Sequence, residues 1–268
     1  QRAASWKLRS SAADRARDAR LSGLLIAAAG IGPDAAVLDL GAGSGEPAIA
    51  AALAVGAAGL VVALDHAPEM LHGARDRAAA PALGQLHCVV ADMAELPFGD
   101  GAFDAAVARF SLMSVTDRPA ALRAARRGLR PGGRAAFLVW GPEAANDRLR
   151  ALRAGMTAFF GADAVEAATS GARPGLGEAG ALTALLRDAG FTAIEERAVE
   201  DCVEIPADRR AWSARMERTY GDLVGGLTAA RRTALDAALR DAFAPYRDGE
   251  LYRLRAEIRL GIGTAPPA

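Results

Sequence analysis

Short apolar runs alternate with helical patterns through the first half of the chain. Ala36–Leu40, Leu60–Leu64, Leu86–Ala91, Phe103–Ala108 and Ala135–Trp140 are continuous apolar stretches of strand length. Pro47–Val55, Pro68–Ala80 and Arg118–Arg130 separate them with helical periodicity. Continuous apolar strands alternating with helices predict a parallel sheet covered on both faces, an α/β doubly wound architecture with right-handed crossovers. Ahead of the first strand, Ser10–Ala29 places Leu21, Leu24, Leu25 and Ala28 at helical spacing, and Gly30, Gly32 and Pro33 stop it. After Trp140 the rhythm changes. Residues 141–180 read as helical with a Gly-rich patch at Gly171–Gly180, Ala181–Ala189 as a helix and Thr192–Ile205 as an extended strand. Asp208–Phe243 reads as two helices, one holding Trp212, Met216 and Tyr220, and Leu251–Ile262 as a final strand.

Composition narrows the function classes. The 268 residues carry 32 basic and 32 acidic side chains, so no bulk charge favours a nucleic-acid or anionic-membrane partner. Alanine supplies 67 residues, and all but one of the basic residues are arginine, the exception being Lys7. This is read as coding bias, and it blunts helix propensity as a guide. Cys88 and Cys202 form no CxxC pair, and His66, His72 and His87 form no HExxH cluster, so no metal site is expected. With no apolar run of about 18 residues and no secretory signal, the expectation is no membrane span and a cytoplasmic location.

The strongest local signal is Asp39-Leu-Gly-Ala-Gly-Ser-Gly-Glu-Pro47. Glycines after a strand let backbone approach a ligand and offer N–H groups to it. The spacing is GxGxG rather than the GxGxxG of a dinucleotide fingerprint, and Glu46 at the helix start is a poor neighbour for a pyrophosphate. Asp65 and Asp92 end the second and third apolar runs. Such sheets bind ligands at the carboxyl ends of their strands, where a carboxylate can accept from both ribose hydroxyls. A lone Asp there is usually a cap or turn residue; three in register with a glycine loop suggest a shared site.

These motifs, with Ala63-Leu64-Asp65, Ala91-Asp92-Met93-Ala94-Glu95-Leu96-Pro97-Phe98, Phe103-Asp104-Ala105-Ala106 and Leu129-Arg130-Pro131-Gly132-Gly133, resemble the ordered motifs of class I S-adenosylmethionine-dependent methyltransferases, nearest the ubiquinone/menaquinone-type small-molecule branch. The resemblance is strong over residues 34–140. It implies a Rossmann-like, seven-stranded, mostly parallel sheet whose antiparallel last strand lies between the fifth and sixth, in a single domain spanning 1–268. Within it, 1–33 would be a helical lead-in, 34–142 the cofactor-binding half, and 143–180 with 206–250 an inserted helical lid.

The resemblance also implies roles. The loop of Gly41, Ala42, Gly43 and Gly45 would hold the methionine portion, with Asp39 orienting it. Asp65 would bind the ribose, His66 and Met70 would flank the adenine, and Asp92 and the Met93 N–H would recognise its edge. Arg109 and Phe110 would border the reacting methyl. The product would be S-adenosylhomocysteine. No catalytic residue is named, since methyl transfer needs in-line positioning and exclusion of water more than side-chain chemistry; His66 is one possible base, though an adenine contact or surface position suits it better. Trp140, Trp212, Met216, Tyr220 and Tyr246 are candidates for an apolar acceptor pocket, or else packing core. Alternatives are a fold relative that binds the cofactor without methylating, and an NAD(P)-dependent reductase, disfavoured by the loop spacing and the absence of a TyrxxxLys pair. The expected partner is a small, largely uncharged molecule; oligomeric state is not encoded legibly.

Overall fold

The computed structural model describes residues 12–79, 81–170, 175–207 and 211–267. Trp6, Lys7, the start of the Gly171–Gly180 patch and Asp208–Arg210 lie outside them. The elements in chain order are α1 (Ala12–Ala29), β1 (Ala36–Leu40), α2 (Ala48–Val55), β2 (Leu60–Asp65), α3 (Pro68–Ala79), β3 (Leu86–Val90), β4 (Phe103–Arg109), α4 (Arg118–Gly128) and β5 (Leu129–Trp140). Then come α5 (Asp147–Phe160), α6 (Ala162–Thr169), α7 (Ala181–Asp188), β6 (Thr192–Pro206), α8 (Ser213–Thr219), α9 (Gly221–Val224), α10 (Ala229–Phe243), β7 (Arg247–Asp248) and β8 (Leu251–Thr264).

The sheet runs β3-β2-β1-β4-β5-β8-β6, with the two-residue β7 paired to β8. The first five strands in this order are parallel, and the last strands are antiparallel. The expected sheet order, with the final long strand between the fifth and sixth, is therefore observed. Because the order reverses direction at β1 and β4, their carboxyl ends open a crevice at the switch point, where ligands bind in such sheets.

The chain forms two compact units. One comprises 12–140, 176–198 and 259–267 of the described residues, the other 141–175 and 199–258. The first unit's core is built from sheet residues Leu38, Leu40, Leu64, Phe137 and Val139, with Leu122 of α4 and Leu182 and Leu186 of α7. The second unit has its own core, in which Leu152, Met156, Trp212, Leu235, Leu239 and Phe243 pack with Tyr252 and Leu254. There Gly155 lets α5 approach α10: a Cβ at this position would stand 2.7 Å from Leu239 Cδ2 and 3.1 Å from its Cα.

Two local boundaries differ from expectation. Helix α4 ends at Gly128, and β5 begins at once with Leu129, which pairs with Phe103 before Pro131-Gly132-Gly133. The register then shifts and resumes at Ala105 with Arg134, so the Pro-Gly-Gly segment is an irregularity inside the strand rather than its start. Strand β3 is also not covered on both faces. It is the sheet's outer strand, and Val90 at its end is 51% exposed. An edge strand packs fewer neighbours, so an apolar run there reads as more buried than it is.

Candidate functional site

Asp39, Asp65 and Asp92 do come to the carboxyl ends of β1, β2 and β3, with the glycine loop between β1 and α2. The loop's amides at 41, 42, 43 and 45 are engaged within the protein. Gly41 and Ala42 N–H both donate to Leu64 O (2.7 and 2.9 Å), Gly43 N–H to Asp65 Oδ2 (2.9 Å), and Gly45 N–H to Ala42 O (2.9 Å). The positive φ at Gly41, Gly43 and Gly45 lets the loop fold back, with the N–H groups of 41–43 turned toward β2 and that of Gly45 toward Ala42 O within the loop. Such a loop is not an anion cradle.

Asp39 is fully buried. Its Oδ2 accepts from Ala48 N–H at the first turn of α2 (3.0 Å), capping that helix from the strand, while Oδ1 has no hydrogen-bond partner among the described residues. Burial pushes this carboxyl up to about 8, against the opposing pull of Arg109, with Glu46 and Asp65 adding to the rise. Asp65 is nearly as buried. Its Oδ1 accepts from Ala67 N–H (2.9 Å), so both oxygens hold a backbone donor, and each retains acceptor capacity. Asp92 Oδ1 accepts from Ala94 N–H (2.9 Å), an Asx turn that fixes the loop after β3.

The remaining residues group around this centre. Met93 is buried, and its Cε lies 3.0 Å from where a Cβ on Gly41 would stand; Met70 Cε is 3.4 Å from the corresponding point on Gly43. His66 is 84% exposed, with Nδ1 3.5 Å from Asp65 Oδ1, so it lies on the rim. Phe110 follows β4 with φ +59, and its ring stacks on Trp140 at 4.5 Å and 12°. Next to it, Ser111 Oγ donates to Leu40 O (2.5 Å), which pins the end of β4 against the start of the glycine loop.

Several contributors were not anticipated. The first helix is more than a lead-in: Asp18 pairs with Arg109 at 2.7 Å, and the buried Ser22 hydroxyl donates to Glu46 Oε2 at 3.0 Å. Arg77 of α3 pairs with Glu46 Oε1 (2.7 Å) and donates to Ser44 O (3.0 Å). Ion pairs linking residues up to 91 positions apart leave no local sequence signal. Of the acceptor-pocket candidates, only Trp140 stands at the strand ends. Trp212, Met216 and Tyr220 are 2–3% exposed and belong to the second unit's core, and Tyr246 packs against that core with its hydroxyl 3.5 Å from Arg150. Trp212 Nε1–H donates to buried Asp236 (3.3 Å), and its ring tilts against Phe243. These three side chains therefore follow the packing reading. Trp212→Phe is expected to lower stability by about 2 kcal/mol through the lost ring volume and hydrogen bond, measured by thermal or denaturant unfolding.

The comparisons agree with this geometry. Residues 37–133 match the family model of the methyltransferase domain. The ubiquinone/menaquinone biosynthesis C-methyltransferase of Vibrio cholerae is 40% identical over 106 residues, 39% of this chain and 41% of that protein. The 2-phytyl-1,4-naphthoquinone methyltransferase of Trichormus variabilis is 40% identical over 111 residues, 41% of this chain and 48% of that one. The chain thus spans under half the length of these curated relatives. The crystal structure of the YcgJ protein of Bacillus subtilis has the same fold, with a TM-score of 0.61 at 20% identity over 92% of this chain and 98% of that one.

The sheet order is that of the methyltransferase-like structures the chain resembles in fold. Residues 37–133 are similar to the methyltransferase domain, the part of the chain that also aligns with the quinone methyltransferases. Among the described residues, no helix is long and apolar enough to cross a membrane, and no cluster of three or more His, Cys, Asp or Glu is arranged to hold a metal.

Proposed function

We propose that the protein transfers a methyl group from S-adenosylmethionine to an O, C or N nucleophile of a small aromatic or apolar molecule by in-line displacement. The observation that carries this is the acid-rich, amide-poor character of the loop after β1. Asp39 Oδ1 is a buried acceptor lacking a partner among the described residues, and the loop N–H groups at 41, 42, 43 and 45 are engaged inward. That set suits a cationic cofactor and disfavours a diphosphate, and so argues against the NAD(P) alternative.

The residues fit the group. Gly41, Ala42, Gly43 and Gly45 would hold its methionine portion, with Asp39 as the buried countercharge. Asp65 would take the ribose on its remaining lone pairs. Met70 and His66 would border the adenine, with Asp92 and Met93 at its edge, and Arg109 and Phe110 beside the methionine end. When bound, the cofactor's sulfonium supplies an activated methyl group. The protein's part is to bind, orient and exclude water. Arg109 is held by Asp18, Glu46 is neutralised by Arg77, and Ser111 fixes the end of β4 against the loop. Each fixes a side chain or segment beside the proposed cofactor site. The helices of 143–180 and 206–250 are assigned as the substrate lid on chain order alone, since they interrupt the run of sheet strands after β5.

Asp65→Ala is expected to weaken S-adenosylhomocysteine binding about tenfold or more, by removing a charged acceptor and releasing Gly43 N–H. Titration calorimetry measures it. Preferential binding of NAD(P)H by the unaltered protein would overturn the cofactor assignment. Tight cofactor binding with no label transfer to phenols, quinols, amines or fatty acids would favour the non-methylating alternative.

A further inference from the structure

We propose that Asp18 of α1 competes with the carboxylate of the cofactor's methionine end for the Arg109 guanidinium, and so sets how readily the cofactor is exchanged. The inference deepens the methyl-transfer reading and rests on it for the identity of the ligand.

The sheet register places the receiving charge. Val107 of β4 stands opposite Asp39 of β1, and Arg109 lies two residues further along β4, so it shares a sheet face with Asp39. Its attraction reaches the Asp39 carboxyl, where it opposes the rise caused by burial. The two side chains thus offer a negative and a positive charge next to the turn that follows β1. An α-amino-acid end carries the matching pair, an ammonium for Asp39 and a carboxylate for Arg109. The Arg109 side chain is only 12% exposed, so little water screens its pull on a carboxylate that reaches it.

Asp18 already holds that place. Its Oδ1 accepts from Arg109 Nη1 at 2.7 Å, across 91 positions of chain. Three features make it a competitor rather than a brace. Among the described residues the contact is one-point, whereas a ligand carboxylate can meet a guanidinium with two parallel hydrogen bonds. The Asp18 side chain is 38% exposed, so water can take over its oxygens when it turns away. Helix α1 also has other anchors: Leu21 and Leu25 are fully buried, and Ser22, one turn beyond Asp18, holds Glu46. Two carboxylates on one guanidinium repel each other, so the ligand's gain is Asp18's loss. S-adenosylmethionine and its demethylated product share this carboxylate. Asp18 therefore loosens the hold on both, and it is a positioning residue that acts through Arg109.

The test titrates the full chain calorimetrically with S-adenosylhomocysteine and with its decarboxylated counterpart, which keeps the amine and lacks the carboxylate. Asp18→Asn is expected to tighten S-adenosylhomocysteine about fivefold and not to tighten the decarboxylated compound. Arg109→Gln is expected to weaken S-adenosylhomocysteine about tenfold, and adding Asp18→Asn to it should change nothing further. Unfolding transitions check each variant, and Arg109→Met replaces Arg109→Gln should the latter not fold. Weaker or unchanged S-adenosylhomocysteine binding in Asp18→Asn, equal tightening of both compounds, or tightening that survives in the Arg109 variant would each overturn the competition. Failure of the unaltered protein to bind either compound would sink the methyl-transfer reading and this proposal with it. Binding of both compounds with no selective effect of Asp18→Asn would sink this proposal alone.

Discussion

Gly41→Ala is expected to reduce cofactor affinity by more than about 100-fold, while Gly43→Ala costs closer to tenfold. Both glycines have left-handed backbone, φ +74 and +55, so an alanine at either is strained by about 1 kcal/mol or more. Their surroundings separate them. A Cβ at Gly41 would collide with Ser111 Cβ, stand 2.9 Å from Ser111 Oγ and reach Met93 Cε at 3.0 Å. Relief requires moving Ser111 off Leu40 O or turning the loop away from Leu64 O, and both contacts set the site. A Cβ at Gly43 meets only Met70 Cε at 3.4 Å, the end of a flexible side chain. Calorimetric titration of S-adenosylhomocysteine into the two variants, with unfolding curves as a folding control, measures the contrast. Equal losses would mean that generic glycine strain, not the close approach of β4 to the loop, governs the site.

This close approach marks where sequence reading stops. The strands around the site were legible because a buried parallel strand is a continuous apolar run, and Val37–Leu40, Leu60–Leu64 and Phe103–Ala108 are such runs. The Pro-Gly-Gly segment misled because Pro and Gly punctuate chains locally, whereas the pairing of Leu129 with Phe103 is a long-range choice made by the sheet. Strand-end acids were visible by register, and their motifs carried the family resemblance. Invisible were the contacts that hold them: Asp18 to Arg109, Ser22 to Glu46, Arg77 to Glu46. Each joins two elements that only the fold brings together. Trp212, Met216 and Tyr220 show the opposite case, where the sequence left two readings open. An apolar stripe at helical spacing describes a pocket wall and a core equally well, and only the second unit's own packing decides between them.

Burial beneath the loop gives Asp39 a strongly raised carboxyl. Its carboxyl sits at about 8 in the folded chain against an ordinary 3.8, because burial outweighs the attraction of Arg109 and the Ala48 N–H. The folded state therefore keeps a proton that the unfolded state releases over this interval. The resulting stabilisation is complete below pH 3.8, erodes as pH rises, and is lost above about 8, at a limiting slope of about 1.4 kcal/mol per pH unit. Asp39→Asn keeps an oxygen for Ala48 N–H and removes the titration. The variant is expected to match the unaltered protein at low pH and to exceed it in unfolding temperature by a margin that widens up to pH 8. Cofactor binding should run the other way. A sulfonium and an ammonium favour the ionised carboxylate, so S-adenosylmethionine affinity is expected to rise more than about tenfold from pH 5.5 to 7.5, with a proton released on binding. In Asp39→Asn that rise should vanish and the affinity should stay low. Calorimetry in buffers of different ionisation enthalpy counts the proton directly. A pH-independent affinity in the unaltered protein, with no proton released, would show that Asp39 stays protonated beneath the bound cofactor and serves the loop only as a cap for α2.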